Sequence, residues 1–258
     1  LHVKKSGPNA GLGIPYSPWL LIEAQAFMLK DAGILKTSEA YRFDIMDLQR
    51  QIMTNLGQAI HKEAAKAFEA GDEKGFELHS RRFLELLTDV DTLLRTRPEF
   101  NFDRWLADAR SWGDTEEEKN QFERNATALV TIWGADGDPL IFDYSWREWG
   151  GLIGKYYLKR WQKFYAMLAG CLKNGTSYTE DNLPMVYGRE AFRANAFDWE
   201  LEFVNTPHKV RMPVTEGDEV EIVKALYSKY LKLAEVYYQN SGEVDYIDRK
   251  NTFENLGE

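Results

Sequence analysis

The chain lacks most of the residues that hold metals, staple small folds or grip a phosphate backbone. Cys171 is the one cysteine in 258 residues, so neither a disulfide framework nor a thiolate zinc site can form within it. Its apolar neighbours, from Met167 to Leu172, predict a buried and inert thiol. The four histidines, His2, His61, His79 and His208, are scattered, without the spacing that puts two imidazoles on one helix face. No metal or cofactor is implied. Basic charge is in deficit, with 32 Lys and Arg against 41 Asp and Glu and a net charge of −9, which argues against a nucleic-acid partner. No G-x-S-x-G elbow occurs, and Gly11-Leu12-Gly13 is too short and isolated to cradle phosphate. No apolar run reaches the length of a membrane span. Lys4 and Lys5 lead into no hydrophobic stretch, so the start does not read as a secretory signal. Without an initiator Met, the chain reads as a piece of something longer.

What the chain has is aromatic residues, and they are concentrated. Positions 133–165 hold 10 of the 35 Phe, Trp and Tyr residues, more crowding than a core requires. The stretch opens on a loop rich in Gly, Asp and Pro (134–140), where polar groups can meet a ligand. It then enters a helical pattern at Ile153, Tyr157, Trp161, Phe164 and Leu168. This helix is expected to run from Asp143 to Leu172, with Asp143 at its N-cap or Ser145 and Glu148 forming a capping box. Lys159 and Arg160 are expected on its solvated face. Gly150, Gly151 and Gly154 predict that another backbone comes close to its first turns.

Helical periodicity dominates the rest. Ile45, Leu48, Ile52, Leu56, Ile60 and Ala64 recur every three or four residues, and Phe76, Phe83, Leu87, Val90 and Leu94 repeat the pattern after the charged Gly71-Asp72-Glu73-Lys74 turn. Two long helices joined by so short a turn predict an antiparallel hairpin. Further helices are expected over Asp103–Trp112, Thr115–Ile132, Tyr187–Trp199 and Val220–Tyr238, the last with Ile222, Leu226, Tyr230 and Leu233 inward. Lys209 to Val214 is the best extended candidate, and Pro213 keeps it at an edge or in a loop. The expected fold class is all-α, an irregular bundle of long antiparallel helices in a single domain. That domain spans 16–239, between a flexible N-terminal segment (1–15) and a polar tail (240–258).

Chemistry is harder to assign. Glycoside hydrolysis needs two carboxyl groups about 5 to 10 Å apart across a sugar, and 41 acidic residues supply too many accidental pairs to choose one. Asp44, Asp47 and Arg50 fall near one face of the first long helix, a plausible partly buried ion-pair network.

Four motifs in order carry a resemblance. Y-R-F-D-I-M-D-L-Q-R-Q (41–51), W-L-A-D-A-R (105–110), E-R-N-A-T-A-L-V-T-I-W-G (123–134), and F-D-Y with G-L-I-G-K-Y-Y-L-K-R-W-Q-K-F (142–164) resemble the C-terminal helical domain of the α-N-acetylglucosaminidases of glycoside hydrolase family 89. The resemblance runs from about Trp19 to Tyr238. It implies a fragment whose catalytic carboxylates lie on an upstream TIM barrel, so no residue here is catalytic and the fragment alone is not expected to be active. It also implies that the domain packs on that barrel and closes the pocket around a terminal α-linked N-acetylglucosamine. Ile141 and Tyr144 match the positions that touch the sugar, although the Gly137–Leu140 loop is longer than usual and Ser145-Trp146 replaces the common pair. The parent is expected to be secreted, periplasmic or lysosomal. The competing reading is a non-enzymatic helical module that binds a glycan or a protein.

Overall fold

The computed structural model describes residues 14, 16–133, 145–176, 199–208, 210 and 215–239. The expected flexible segment 1–15 and tail 240–258 therefore lie almost wholly outside the described residues. Among those described, the regular structure is helical, and the one β-type contact is an isolated parallel bridge between Asn101 and Gly150.

The spine is the expected hairpin, α3 (Glu39–Glu69) and α4 (Glu73–Leu94). Its start is set by Ser38, whose hydroxyl accepts from the Tyr41 N–H, satisfying one of the orphan donors of a first turn. Its turn is made by Gly71 in the left-handed region (φ 69°) and by Asp72, whose carboxylate accepts from the Gly75 N–H. Ring contacts pair Phe68 with Phe76 and His61 with Phe83, which fixes the antiparallel register. Two short helices, α1 (Pro18–Lys30) and α2 (Ala32–Leu35), precede the hairpin. Helix α1 is laid across α3 by Gln25, which donates to the Ile45 carbonyl, and by the Tyr41 hydroxyl, which donates to the Met28 carbonyl.

A second hairpin pairs α5 (Phe102–Arg110) with α6 (Glu116–Leu129). Thr115 and Glu118 form a reciprocal capping box at the start of α6. The aromatic helix α7 (Leu158–Asn174) packs on α4, a helical segment α8 (199–205) follows, and α9 (Glu219–Gln239) closes the bundle against α3. The inward stripe of α9 is Val223, Leu226, Tyr230, Ala234 and Tyr237. The expected Ile222 and Leu233 are half-buried at its edges, because the face is rotated toward Tyr230 and Tyr237.

Charge joins the helix ends. The Arg97 guanidinium, buried at the end of α4, contacts Glu39 at 2.6 Å, Glu99 at 3.0 Å and Glu219 at 3.3 Å, and Arg42 meets Glu219 at 2.6 Å. Glu39 and Glu219 are first-turn residues of α3 and α9, so the same carboxylates also oppose the positive ends of those helix dipoles. Burial raises the Glu219 pKa, but the hydrogen bonds from Arg42 and Arg97 and the nearby positive charge outweigh it and hold the carboxyl below its ordinary range.

Two expectations need correction. Arg160 is fully buried, its Nε 2.7 Å from a Glu200 oxygen and its Nη2 donating to the Tyr156 hydroxyl, while only Lys159 of that doublet faces solvent. Its guanidinium also lies over the Tyr156 and Tyr157 rings, a site that favours a delocalised cation. Cys171 is half-buried, not buried, because its turn of α7 runs out toward the exposed C-terminus at Gly175. The helix expected over Tyr187–Trp199 falls mostly outside the described residues, as does the extended candidate at 209–214, of which only Val210 is described.

Candidate functional site

Residues 134–144, which include Ile141 and Tyr144, lie outside the described residues, and the described parts of the aromatic stretch flank them in sequence as a frame. The frame starts where α6 ends. Trp133 adopts φ 62°, a left-handed conformation uncommon for a side chain of this bulk, and its N–H donates to the Ala128 carbonyl at 2.7 Å. The Tyr157 hydroxyl donates to the Val130 carbonyl, tying this end to the start of the aromatic helix.

The chain returns through 145–149 without helical structure, and helix begins only at Leu152. Ser145 and Glu148 therefore form no capping box, and the expected start at Asp143 is not met. Glu148 instead turns toward α3, where Arg50 Nη1 donates to it at 2.5 Å and the Thr54 hydroxyl lies 3.4 Å from its other oxygen. Arg50 is itself steadied by Asp47 at 2.8 Å. The expected network on α3 thus exists, but its third member is Glu148, and Asp44 is exposed. The Trp149 ring then packs on Trp105 of α5.

At Gly150 the return is locked. Its N–H donates to the Phe100 carbonyl at 2.7 Å, and its own carbonyl accepts from the Phe102 N–H at 3.0 Å. A Cβ here would stand 2.8 Å from the Arg95 backbone nitrogen, so the close approach expected from the glycines is met. Asp91, buried on α4, accepts from the N–H groups of both Gly151 and Gly154 at 2.6 and 2.7 Å, while its other oxygen holds Arg95 at 2.8 Å. A carboxylate that caps the first donors of a helix in this way forms charge-assisted bonds, roughly twice as strong as neutral ones.

The helix then opens with a π-turn over Ile153–Tyr157. The wider turn shifts the register so that two consecutive tyrosines are buried. Tyr156 packs on Trp199 and Phe203 of α8, and Tyr157 reaches α6. The stripe Ile153, Tyr157, Trp161, Phe164 and Leu168 is buried as expected. Deeper in, His61 Nδ1 and the Tyr165 hydroxyl share a hydrogen bond of 2.9 Å beside Trp161 and Phe83. Burial lowers the His61 pKa to about 4, so it is a neutral packing residue at pH 7.

Sequence reasoning missed Asp91, Arg160 and the pairing of Glu148 with Arg50. For two of them a signal was present. Asp91 follows Leu87 by four residues and Arg160 follows Tyr157 by three, which puts each charge on an apolar stripe, where it must be paired. The partners are 98 positions apart for Arg50 and Glu148, and no local pattern announces them. Among the described residues no group of His, Cys, Asp and Glu could hold a metal ion, and no helix is long and apolar enough to cross a membrane.

Residues 2–229 match the family model of the alpha-N-acetylglucosaminidase (NAGLU) C-terminal domain. Human alpha-N-acetylglucosaminidase is 30% identical over 231 residues, covering 88% of this chain and 29% of the human protein. The family 89 glycoside hydrolase of Clostridium perfringens, solved in complex with PUGNAc, superposes with a TM-score of 0.73 at 28% identity over 88% of this chain and 25% of that one. A variant of the Clostridium enzyme in complex with its substrate GlcNAc-α-1,4-galactose gives a TM-score of 0.71 at 27% identity, over 90% of this chain and 27% of that one. The chain thus spans less than a third of the length of these relatives. The four-motif pattern, the all-helical bundle and the match over most of the chain agree, and this chain belongs to the family of α-N-acetylglucosaminidase C-terminal domains.

Proposed function

We propose that this domain serves an exo-acting α-N-acetylglucosaminidase, packing on its catalytic barrel and closing the pocket around a terminal α-linked N-acetylglucosamine. Ile141 gives the sugar apolar contact, and Tyr144 offers its hydroxyl and ring edge. Neither is catalytic. The barrel supplies the reacting carboxylates, and enclosure by this domain excludes water and so strengthens the electrostatics there. The barrel and a glycan ending in N-acetylglucosamine are thus its partners, in a secreted, periplasmic or lysosomal parent.

One observation carries the reading: both ends of the segment bearing Ile141 and Tyr144 are fixed to the bundle, by the Ala128 and Val130 carbonyls on one side and by Glu148, Gly150 and Asp91 on the other. Substrate-positioning residues need such a rigid mount.

The test is Tyr144→Ala in the full-length polypeptide, assayed on an aryl α-N-acetylglucosaminide. Loss of one hydrogen bond and some apolar contact, together about 1–2 kcal/mol, lowers kcat/KM roughly tenfold with the melting temperature kept. Unchanged kinetics in a folded variant remove Tyr144 from the site. Titration of N-acetylglucosamine into the 258-residue chain alone should give no measurable heat, whereas binding there would favour an independent glycan-binding module.

A further inference from the structure

Helix α1 carries apolar residues on two opposite sides. Of its thirteen residues only Glu23, Gln25 and Lys30 are polar. Pro18, Ile22, Gln25, Leu29 and Ala32 follow one another at intervals of four, three, four and three, and this stripe faces the bundle, buried except for the half-buried Leu29. Leu20, Ala24 and Phe27 repeat the spacing about half a helical turn away. Their stripe points outward and runs on into α2, where the Ile34 and Leu35 N–H groups donate to the Asp31 carbonyl and continue the turn. Phe27 is 64% exposed, Ile34 80% and Leu35 41%. A helix that is apolar all round is one that is covered all round, and the described residues cover α1 on one side.

The outward stripe is fixed in place. On the inner side Gln25 donates to the Ile45 carbonyl, the Tyr41 hydroxyl to the Met28 carbonyl and the Tyr227 hydroxyl to the Ile22 carbonyl, so α3 and α9 both hold the helix against rotation. The Trp19 ring meets Tyr238 edge to face. Turning Phe27 inward would break all of these contacts.

What covers the stripe follows from what adjoins it. The family is that of a C-terminal domain, and the chain spans less than a third of its relatives, so in them most of the polypeptide comes before the segment that α1 opens. Tyr16, two residues before α1, is pinned to α3 by Asn55, whose amide donates to its hydroxyl at 3.2 Å. Asn55 adjoins Thr54, which addresses Glu148, so the entering chain and the return segment are held by one turn of α3. A domain joined just upstream meets this face at an effective concentration on the order of millimolar, ahead of any free partner. The exterior of a TIM barrel is a ring of helices, and a stripe repeating every three to four residues is what another helix packs on.

We propose that the outer face of α1 and α2, formed by Leu20, Ala24, Phe27, Ile34 and Leu35, is where this domain seats on the helical exterior of the upstream catalytic barrel. The inference rests on the proposed function above, which has the domain pack on that barrel, and adds the face that does so. Glu23 and Lys30 border one edge of the stripe and give it a charged rim.

The test is thiol labelling of Ile34→Cys and Trp112→Cys in the full-length polypeptide, read on the peptide by mass spectrometry, with melting followed in parallel. Protection is the labelling rate in urea divided by the rate in the native protein. Ile34 and Trp112 are 80% and 79% exposed in the domain, so the domain itself protects neither. The expected result is protection of tenfold or more at position 34, unchanged on dilution. Protection below tenfold there overturns the inference. If protection appears instead at position 112, the barrel sits on the α5–α6 hairpin and the packing reading stands. Protection at neither position, with the kinetics of Tyr144→Ala unaltered, overturns both. Protection at position 34 that is lost on dilution assigns the face to a second copy of the chain and also overturns the inference. Should Ile34→Cys fail to fold, Leu35→Cys on the same face is read in the same way.

Discussion

Lowering the pH should loosen this domain through His61, and the size of the effect follows from its surroundings. The imidazole is enclosed by Phe83, Trp161 and Tyr165, and burial moves its pKa from 6.5 to about 4. The unfolded chain binds this proton near pH 6.5, the folded chain only near pH 4. Stability is therefore full above pH 6.5 and falls through the window down to about pH 4, because in that range the unfolded state binds more protons. At 1.36 kcal/mol for each pKa unit, the loss is on the order of 3 kcal/mol. For a domain of this size that lowers the melting temperature by about 5–10 °C. His79 and His208 are also lowered by burial and contribute with the same sign. The assay must therefore be a difference, with thermal melts of the chain and of His61→Asn followed by circular dichroism from pH 7 to pH 4.5. Asn keeps an amide near Nδ1 but does not titrate, so its smaller volume adds a cost that does not vary with pH. The two curves should converge on acidification. If they fall in parallel, His61 does not carry the effect and its surroundings are wetter than the packing indicates.

Other parts of the frame respond to single substitutions. Gly154→Ala places a Cβ 2.7 Å from the Asp91 carboxylate, and relieving that clash should cost about 1–3 kcal/mol, seen as a lower urea midpoint with an unchanged slope. Glu200→Ala removes the carboxylate 2.7 Å from the buried Arg160 guanidinium, a loss of about 3–5 kcal/mol. Chemical denaturation measures it, and a loss below about 1 kcal/mol would place the pair in water.

The spacing of apolar residues was enough to find α3, α4, α6, the aromatic helix and α9, because each buries one stripe along its length and periodicity records that directly. It failed at the start of the aromatic helix for a physical reason. Ser145 and Glu148 satisfy a local capping rule, but the Glu148 carboxylate gains more from a guanidinium held on α3 than from a solvated N–H. The helix that does form is capped at Gly151 and Gly154 by Asp91, from a helix that precedes it in sequence by more than fifty positions. Local rules state what a residue can do for its own segment, and tertiary contacts decide what it does.

The same division runs through the candidate site. Ile141 and Tyr144 are proposed from a motif, and a motif says nothing about what flanks them in space. The described flanks at 133 and 148–154 are fixed by groups that read as generic in sequence: an aspartate on α4, an arginine on α3, three glycines and a tryptophan with φ 62°. Each is unfavourable or neutral taken alone. A buried carboxylate, a left-handed tryptophan and unprotected helix donors all cost stability in isolation. Together they satisfy one another, with the Asp91 oxygens on the Gly151 and Gly154 donors and the Trp133 N–H on Ala128. If the bundle's part in the proposed function is to fix the return segment, substitutions at Asp91, which binds that segment at Gly151, should alter KM as well as stability, whereas equally destabilising ones at Glu200, which pairs with Arg160, should alter stability alone.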